Sequence, residues 1–339
     1  MFNVFASHTA NGLWHEIVDA FTEEQQTALV HQQPSRAGAT REILHAALSV
    51  ADPRQRWISD RQPPINPAFA IAEVVWIVTG RNDAAFLNYF NRHLSQYCGP
   101  GDSYDGAYGY RLRHHLGVDQ LHSAYQALKS NPESRQVVLQ VWDSVADLPK
   151  TGGKARSADI PCNVVSLLKI RGDRLEWTQV MRSNDIFRGL PYNLVQWTTL
   201  QEVMAGWLGL QLGSYNQLSD SLHVYEDSLA YIHDDSSRSD IPNTDRLALP
   251  YEESQRVFGY IASVVENLIA EDRPTETLVD LVADADVSEA YKNWLCLLCA
   301  ESARRRQDIA VTNAIMSHCS NEMLAILFQN WMNRFGSSK

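Results

Sequence analysis

At 339 residues, with 45% hydrophobic and 20% charged side chains, the chain has the make-up of a soluble globular protein, long enough for one large domain or two ordinary ones. Its 29 Lys and Arg against 40 Asp and Glu give a formal net charge of −11. That balance excludes a surface built to coat nucleic acid, yet it leaves room for a small basic pocket holding one phosphate.

No apolar run is long enough to span a membrane, and the start Met1-Phe2-Asn3-Val4 lacks the charged and apolar stretches of a signal peptide, so a cytoplasmic location is expected. Five scattered cysteines (Cys98, Cys162, Cys296, Cys299, Cys319) make no disulfide framework; each is a buried hydrophobe or a reactive thiol.

Residues 13 to 31 have helical apolar spacing. Pro34 to Glu42 has the small, polar composition of a loop: either plain surface, or an anion-binding loop in which Arg36 clamps a phosphate. After the proline-rich connector at 62 to 67, the run from Ala68 to Thr79 is apolar except for Glu73. A carboxylate there is either a hydrogen-bonded structural group at the core edge or one with chemical work to do. A helix is expected over 83 to 97, and the glycine-rich loop Gly99 to Gly109 delivers Tyr108. The adjacent His114 and His115 point apart on any regular backbone, which favours surface positions over a metal site.

A helix over 118 to 130 ends at Asn131-Pro132, and Ser134 to Trp142 reads as a strand with Arg135 at its start. Gly152-Gly153 marks a loop leading to Asp159-Ile160-Pro161-Cys162-Asn163. Residues 163 to 170 and 175 to 181 read as two strands joined by the turn Arg171-Gly172-Asp173-Arg174. An antiparallel return brings Arg182 back towards Cys162, where a guanidinium would favour the thiolate; the bland alternative is an inert buried cysteine.

A long apolar helix is expected over 194 to 208, then a strand over 214 to 225 whose His223 and Tyr225 share one face, as sugar contacts or as satisfied core groups. A polar linker follows, and from Glu252 to Phe335 the chain is helix-forming in three or four segments: 252 to 270, 276 to 283, 288 to 305 and 308 to 335. Cys296 and Cys299 have metal-like spacing in an apolar helix with no second pair nearby, which favours core packing and no metal; a zinc site with His318 and Cys319 is the competing reading.

The Pro-Cys start, Arg182-Ser183-Asn184-Asp185, Gly189-Leu190-Pro191-Tyr192-Asn193 and His223-Val224-Tyr225 resemble, in order and spacing, the thymidylate synthase and deoxynucleotide hydroxymethylase superfamily over roughly residues 10 to 232. The resemblance implies an α+β thymidylate synthase-like fold: a large, mostly antiparallel sheet flanked by helices, whose back face forms a homodimer interface. With the polar linker and the helix-forming stretch beyond it, the chain divides into a thymidylate synthase-like catalytic domain at 1 to 235, a linker at 236 to 250 and a helical C-terminal region at 251 to 339. The resemblance carries the roles of single residues. It makes Cys162 the nucleophile on carbon 6 of a pyrimidine nucleoside monophosphate, with Glu73 and Tyr108 in proton transfer. Arg36, Arg135 (from the partner subunit), Arg182 and Ser183 match the phosphate clamp. Asn193 matches the pyrimidine-edge contact, His223 and Tyr225 the ribose contacts, and Asp185 the residue facing the pterin of 5,10-methylenetetrahydrofolate.

Four departures accompany the match. Asn163 stands where synthases have histidine, Gln136 replaces the second arginine of Ser-Arg-Arg, Asp159 replaces a leucine, and the apolar tail that closes the synthase site has no counterpart. Water admitted at carbon 5 gives a hydroxymethyl group and exclusion of water gives a methyl group, so a polar Asp159 and no closing tail point to hydroxymethylation. An amide at Asn193 suits a uracil edge. The expectation is a folate-dependent dUMP hydroxymethylase with no nucleic-acid or membrane partner. Thymidylate synthase proper, a CMP or dCMP hydroxymethylase, and a non-catalytic nucleotide-binding paralogue are the alternatives.

Overall fold

A computed structural model describes residues 1–22, 30–35, 38–232, 241–271 and 273–336. Strand β1 (Asn3–Ser7) leads into α1 (Ala10–Thr22), followed by β2 (His31–Ser35) and the long β3 (Gly38–Val50). Next come α2 (Pro67–Val78), the short α3 (Ala84–Asn88), α4 (Ser95–Cys98) and α5 (Tyr108–Tyr110), a π-helical turn at Arg111–His115, α6 (Gln120–Ser130), β4 (Val138–Gln140) and α7 (Ser144–Asp147). The hairpin β5 (Asn163–Arg171) and β6 (Arg174–Asp185), helix α8 (Leu190–Leu208) and β7 (Gln211–Tyr225) complete the sheet region. Beyond it lie α9 (Tyr251–Ala270), α10 (Thr277–Ala283), α11 (Glu289–Arg305), α12 (Ile309–Met316) and α13 (Glu322–Gly336).

The strands form one mixed sheet in the order β1-β3-β7-β6-β5-β4, with β2 also paired to β3. Pairings β1·β3 and β6·β7 are parallel and the rest antiparallel, so the α+β class with a mostly antiparallel sheet holds. The β5–β6 turn has Gly172 at φ 59, the left-handed geometry that a tight hairpin needs and that glycine adopts without strain.

Helix α2 is the centre of the molecule. Asn66 caps it by accepting a bond from Phe69 N, and Pro67 occupies its first turn. Every residue of α2 except Glu73 is buried, because α8, α9, α11 and α13 surround it. A helix apolar all round belongs in an interior. The C-terminal helices therefore pack directly on the helix that carries Glu73. Gly206 of α8 lets the segment leading into α9 lie against α8: a Cβ there would stand 2.5 Å from Leu249 N.

Several local expectations are corrected. Of the helix predicted over 13 to 31, α1 is described as far as Thr22, residues 23–29 lie outside the described residues, and His31 lies in β2 rather than in a helix. Pro34 to Glu42 is a strand hairpin in its described part, not a loop; β2 is exposed along its whole length and so carries no apolar alternation to read. The 83 to 97 helix is two short pieces, and β4 is three residues rather than nine. The helix over 308 to 335 breaks into α12 and α13, with Asn321 accepting a backbone bond from Leu324 at the restart.

Candidate active site

The β5–β6 register pairs Asn163 with Met181, which sets Arg182 opposite Cys162. Arg182 N donates to the Cys162 carbonyl at 2.9 Å. Its guanidinium donates to Pro161 O (3.0 Å) and Ile160 O (3.1 Å) and stands 3.9 Å from Cys162 Sγ. Trp142 lies under the same guanidinium, 5.7 Å away. Cys162 is half-buried and outside any disulfide. A cation fixed in this way by two backbone carbonyls stabilises a thiolate without depending on the thiol to hold it.

Glu73 comes to the same region from α2. Burial pushes its carboxyl up to about 8, against a hydrogen bond from Gln196 that favours the ionised form. Oε2 is fully enclosed with no hydrogen-bond partner, while the side chain keeps partial exposure elsewhere. Gln196 also accepts from Asn193 Nδ2 at 3.1 Å, so one buried amide links Asn193 to Glu73. Asn193 lies in the first turn of α8 and Gln196 stands three residues on, which puts both on one helix face.

Tyr108 enters from α5. A Cβ on the adjacent Gly109 would lie 2.3 Å from Ile77 O, so only glycine lets α5 press on the backbone of α2. The Tyr108 ring rests against Trp197 at 5.8 Å, and its hydroxyl faces the Asn163 amide. Burial first, then the nearby Cys162 thiol, raises the Tyr108 phenol well above its ordinary range, with Asp159 and Glu73 adding to the effect. Asn163 is held from behind by Gln179 Nε2 at 2.9 Å.

Asp185, at the end of β6, accepts from Phe187 N (2.7 Å) and Arg188 N (2.8 Å) through Oδ1, while Oδ2 is enclosed and unpartnered. Burial raises its carboxyl above the usual range. The parallel β6·β7 pairing sets Asp185 beside His223 and brings Ser183 Oγ to 3.4 Å from His223 Nδ1. Tyr225 meets the His223 ring edge-on at 5.5 Å and lies beneath the Arg188 guanidinium at 4.6 Å. Cys162, Arg182, Glu73, Tyr108 and Asn193 thus converge, with Ser183, Asp185, His223 and Tyr225 grouped along the adjacent strand ends. Arg135 is exposed on the approach to β4, and Arg36 lies outside the described residues.

Three participants escaped the sequence reading: Gln196, Arg188 and the surroundings of Asp159. Gln196 carried a signal, a polar residue three positions after Asn193 on a helix otherwise destined for the core. Cys296 and Cys299 are buried in α11, and among the described residues no group of three or more His, Cys, Asp or Glu is placed to hold a metal ion.

The sequence profile of thymidylate synthase matches residues 62–268, well over half of the chain. The chain belongs to the thymidylate synthase family. The matched segment carries α2, α5, the β5–β6 hairpin, α8 and β7, every element that positions the groups above. Among curated relatives, the deoxyuridylate hydroxymethyltransferase of Bacillus phage SP01 is 34% identical over 203 residues, 57% of this chain and 52% of the relative. The protein of the same name from Pseudomonas phage M6 is 33% identical over 216 residues, 63% of this chain and 58% of the relative. That of Delftia phage PhiW-14 is 28% identical over 198 residues, 56% and 55% respectively. The chain spans little more than half the length of these relatives.

Proposed function

We propose that this member of the thymidylate synthase family hydroxymethylates carbon 5 of dUMP, using 5,10-methylenetetrahydrofolate. The observation that carries the reading is the convergence of a cation-backed Cys162 with Glu73, Tyr108 and Asn193, in a chain whose relatives bear the name deoxyuridylate hydroxymethyltransferase.

Cys162 adds to carbon 6 of the base, which makes carbon 5 nucleophilic. With its carboxyl at about 8, Glu73 is mostly protonated at neutral pH and can donate to the base carbonyl as negative charge builds there. Tyr108 stays a neutral phenol, suited to passing on the carbon 5 proton. Arg182 and Ser183 take the phosphate with Arg36 and a partner subunit's Arg135, and His223 and Tyr225 take the sugar.

Asn193 decides the base. Its Nδ2 is engaged by Gln196, which leaves Oδ1 to accept from the uracil N3–H; cytosine offers no proton there. Methylenetetrahydrofolate, when bound, supplies the one-carbon unit. The enclosed, unpartnered Asp185 Oδ2 fits the donor edge of its pterin, since such an oxygen is costly unless a ligand satisfies it.

The family's other product, thymidylate, is the runner-up, and the relatives' names favour the hydroxymethyl group. Homodimer formation is part of the proposal. Val165, Val180, Leu218 and Ala47 lie in one register row across four strands on the partly exposed sheet face, an apolar stripe suited to a second copy. So is the division at 235 and 251, with the helical region bracing α2 rather than acting alone. No helix among the described residues is long and apolar enough to cross a membrane. The cytoplasmic location is likewise proposed.

Incubation with methylenetetrahydrofolate and each of dUMP, dCMP, UMP and CMP, followed by mass spectrometry, tests the reading. The expected result is a hydroxymethyl product from dUMP. Absence of any carbon 5 product and of tritium release from carbon 5, with active folate confirmed, refutes it.

A further inference from the structure

Asp159 lies three residues before Cys162, in a seat built for its carboxyl. Gly106 N donates to Asp159 Oδ2 at 2.7 Å. A Cβ on Gly106 would stand 2.7 Å from Oδ1, 2.9 Å from Cγ and 3.0 Å from Oδ2, so a side chain there would evict the carboxyl. The Cys98 thiol, at the end of α4, hydrogen-bonds to it from another side. Ser157 Oγ accepts from Asp159 N at 3.1 Å and itself donates to Asp105 Oδ2 at 2.6 Å, which fixes the backbone.

None of these contacts neutralises the charge. Arg111 is the nearby cation, and its guanidinium is committed to Asp147 through two bonds of 2.6 and 2.9 Å. A largely enclosed carboxyl with a backbone amide and a thiol for company is expensive as mere structure. Its neighbours are the reacting groups: Tyr108 feels Asp159 and Cys162 together, and Cys98 feels Asp159, Glu73 and Cys162.

We propose that the Asp159 carboxylate, seated by Gly106 and Cys98 beside the nucleophile, holds and deprotonates the water that completes hydroxymethylation. The inference rests on the function proposed above. Once the carbon 5 substituent of the nucleotide is an exocyclic methylene, the water oxygen bonds to that carbon and a water proton passes to Asp159. The methylene π pair moves onto the ring as an enolate. That enolate re-forms the carbon 5–carbon 6 double bond and expels the Cys162 sulfur as thiolate, and the proton leaves Asp159 for solvent. Water is the only co-reactant and nothing is oxidised or reduced. Burial raises the Asp159 carboxyl above the usual carboxylate range, which makes it a stronger base. Cys98 and Gly106 are positioning residues in this scheme.

Asp159→Asn, Asp159→Leu and Gly106→Ala test it. In the variants, dUMP binding measured by calorimetry without folate, and the intact-protein mass of the covalent complex with 5-fluoro-dUMP and methylenetetrahydrofolate, are expected to match the wild type within threefold. Hydroxymethyl product from dUMP is expected to fall by about 100-fold or more, as for loss of a general base. Added 2-mercaptoethanol should then capture the waiting methylene as a carbon 5 thioether, since a thiolate needs no base. Variants that hydroxymethylate within threefold of wild type, or that lose the covalent complex in step with product, overturn the proposal; the second result would mean that Asp159 merely holds Cys162. A wild type that yields the methyl product overturns it too. Should the wild type form neither complex nor product, the parent reading fails and this one with it.

Discussion

Replacing Glu73 with Gln separates what the fold wants from what the reaction needs. The carboxyl titrates at about 8 in the folded chain against an ordinary 4.5. Between those values the native state keeps a proton that the unfolded chain releases, so native stability falls as pH rises from 4.5 to 8 and then levels off. At about 1.4 kcal/mol per pH unit the full penalty reaches roughly 5 kcal/mol. Because Glu73 keeps partial exposure, water screens part of this, and a measurable effect of about 2 to 4 kcal/mol is expected. Glutamine has the same shape and no titration. Urea unfolding of both proteins at pH 5, 6, 7, 8 and 9 should show Glu73→Gln gaining on the wild type up to about pH 8 and running parallel above it. Product formation by the same variant should drop by about 100-fold. A stability difference that stays flat from pH 5 to 9 would refute the desolvation of Glu73, and with it the assignment of a neutral proton donor.

Four further outcomes are expected. Cys162→Ser should abolish the covalent complex with 5-fluoro-dUMP, read by intact-protein mass, while the unfolding temperature stays within a few degrees of the wild type. Gln196→Leu frees the Asn193 amide to turn, so the ratio of dUMP to dCMP turnover should fall by about tenfold, the worth of one hydrogen bond of about 1.4 kcal/mol; an unchanged ratio would show that Gln196 does not orient Asn193. Gly109→Ala forces a methyl group against the Ile77 backbone and should cost about 3 kcal/mol in chemical denaturation, with loss of turnover as Tyr108 shifts. Asp147→Ala strands the buried Arg111 guanidinium and should destabilise by about 3 to 5 kcal/mol in the same assay.

The sequence by itself determined the motifs and their local geometry. A glycine turn between a β-branched, apolar run and an alternating one dictates the β5–β6 hairpin, and an antiparallel hairpin must return Arg182 to Cys162; the 3.9 Å contact needs no information from elsewhere in the chain. Likewise, an apolar run broken only by Glu73 announces a buried helix with one unusual carboxyl. The family resemblance rested on such short-range patterns and on their order. The exposed β2 was illegible for the opposite reason, since a strand with no buried face leaves no periodicity.

Only the tertiary structure decided which residues far apart in sequence share a partner. That Gln196 ties Asn193 to Glu73 depends on how α8 crosses α2, and that Asp159 lies between Gly106 and Cys98 depends on two loops meeting the end of α4. Hydrogen bonds and desolvation act over a few ångströms in space, whatever the distance along the chain. A linear sequence displays the first kind of neighbour for one hairpin or one helix turn, and beyond that the packing of the core chooses.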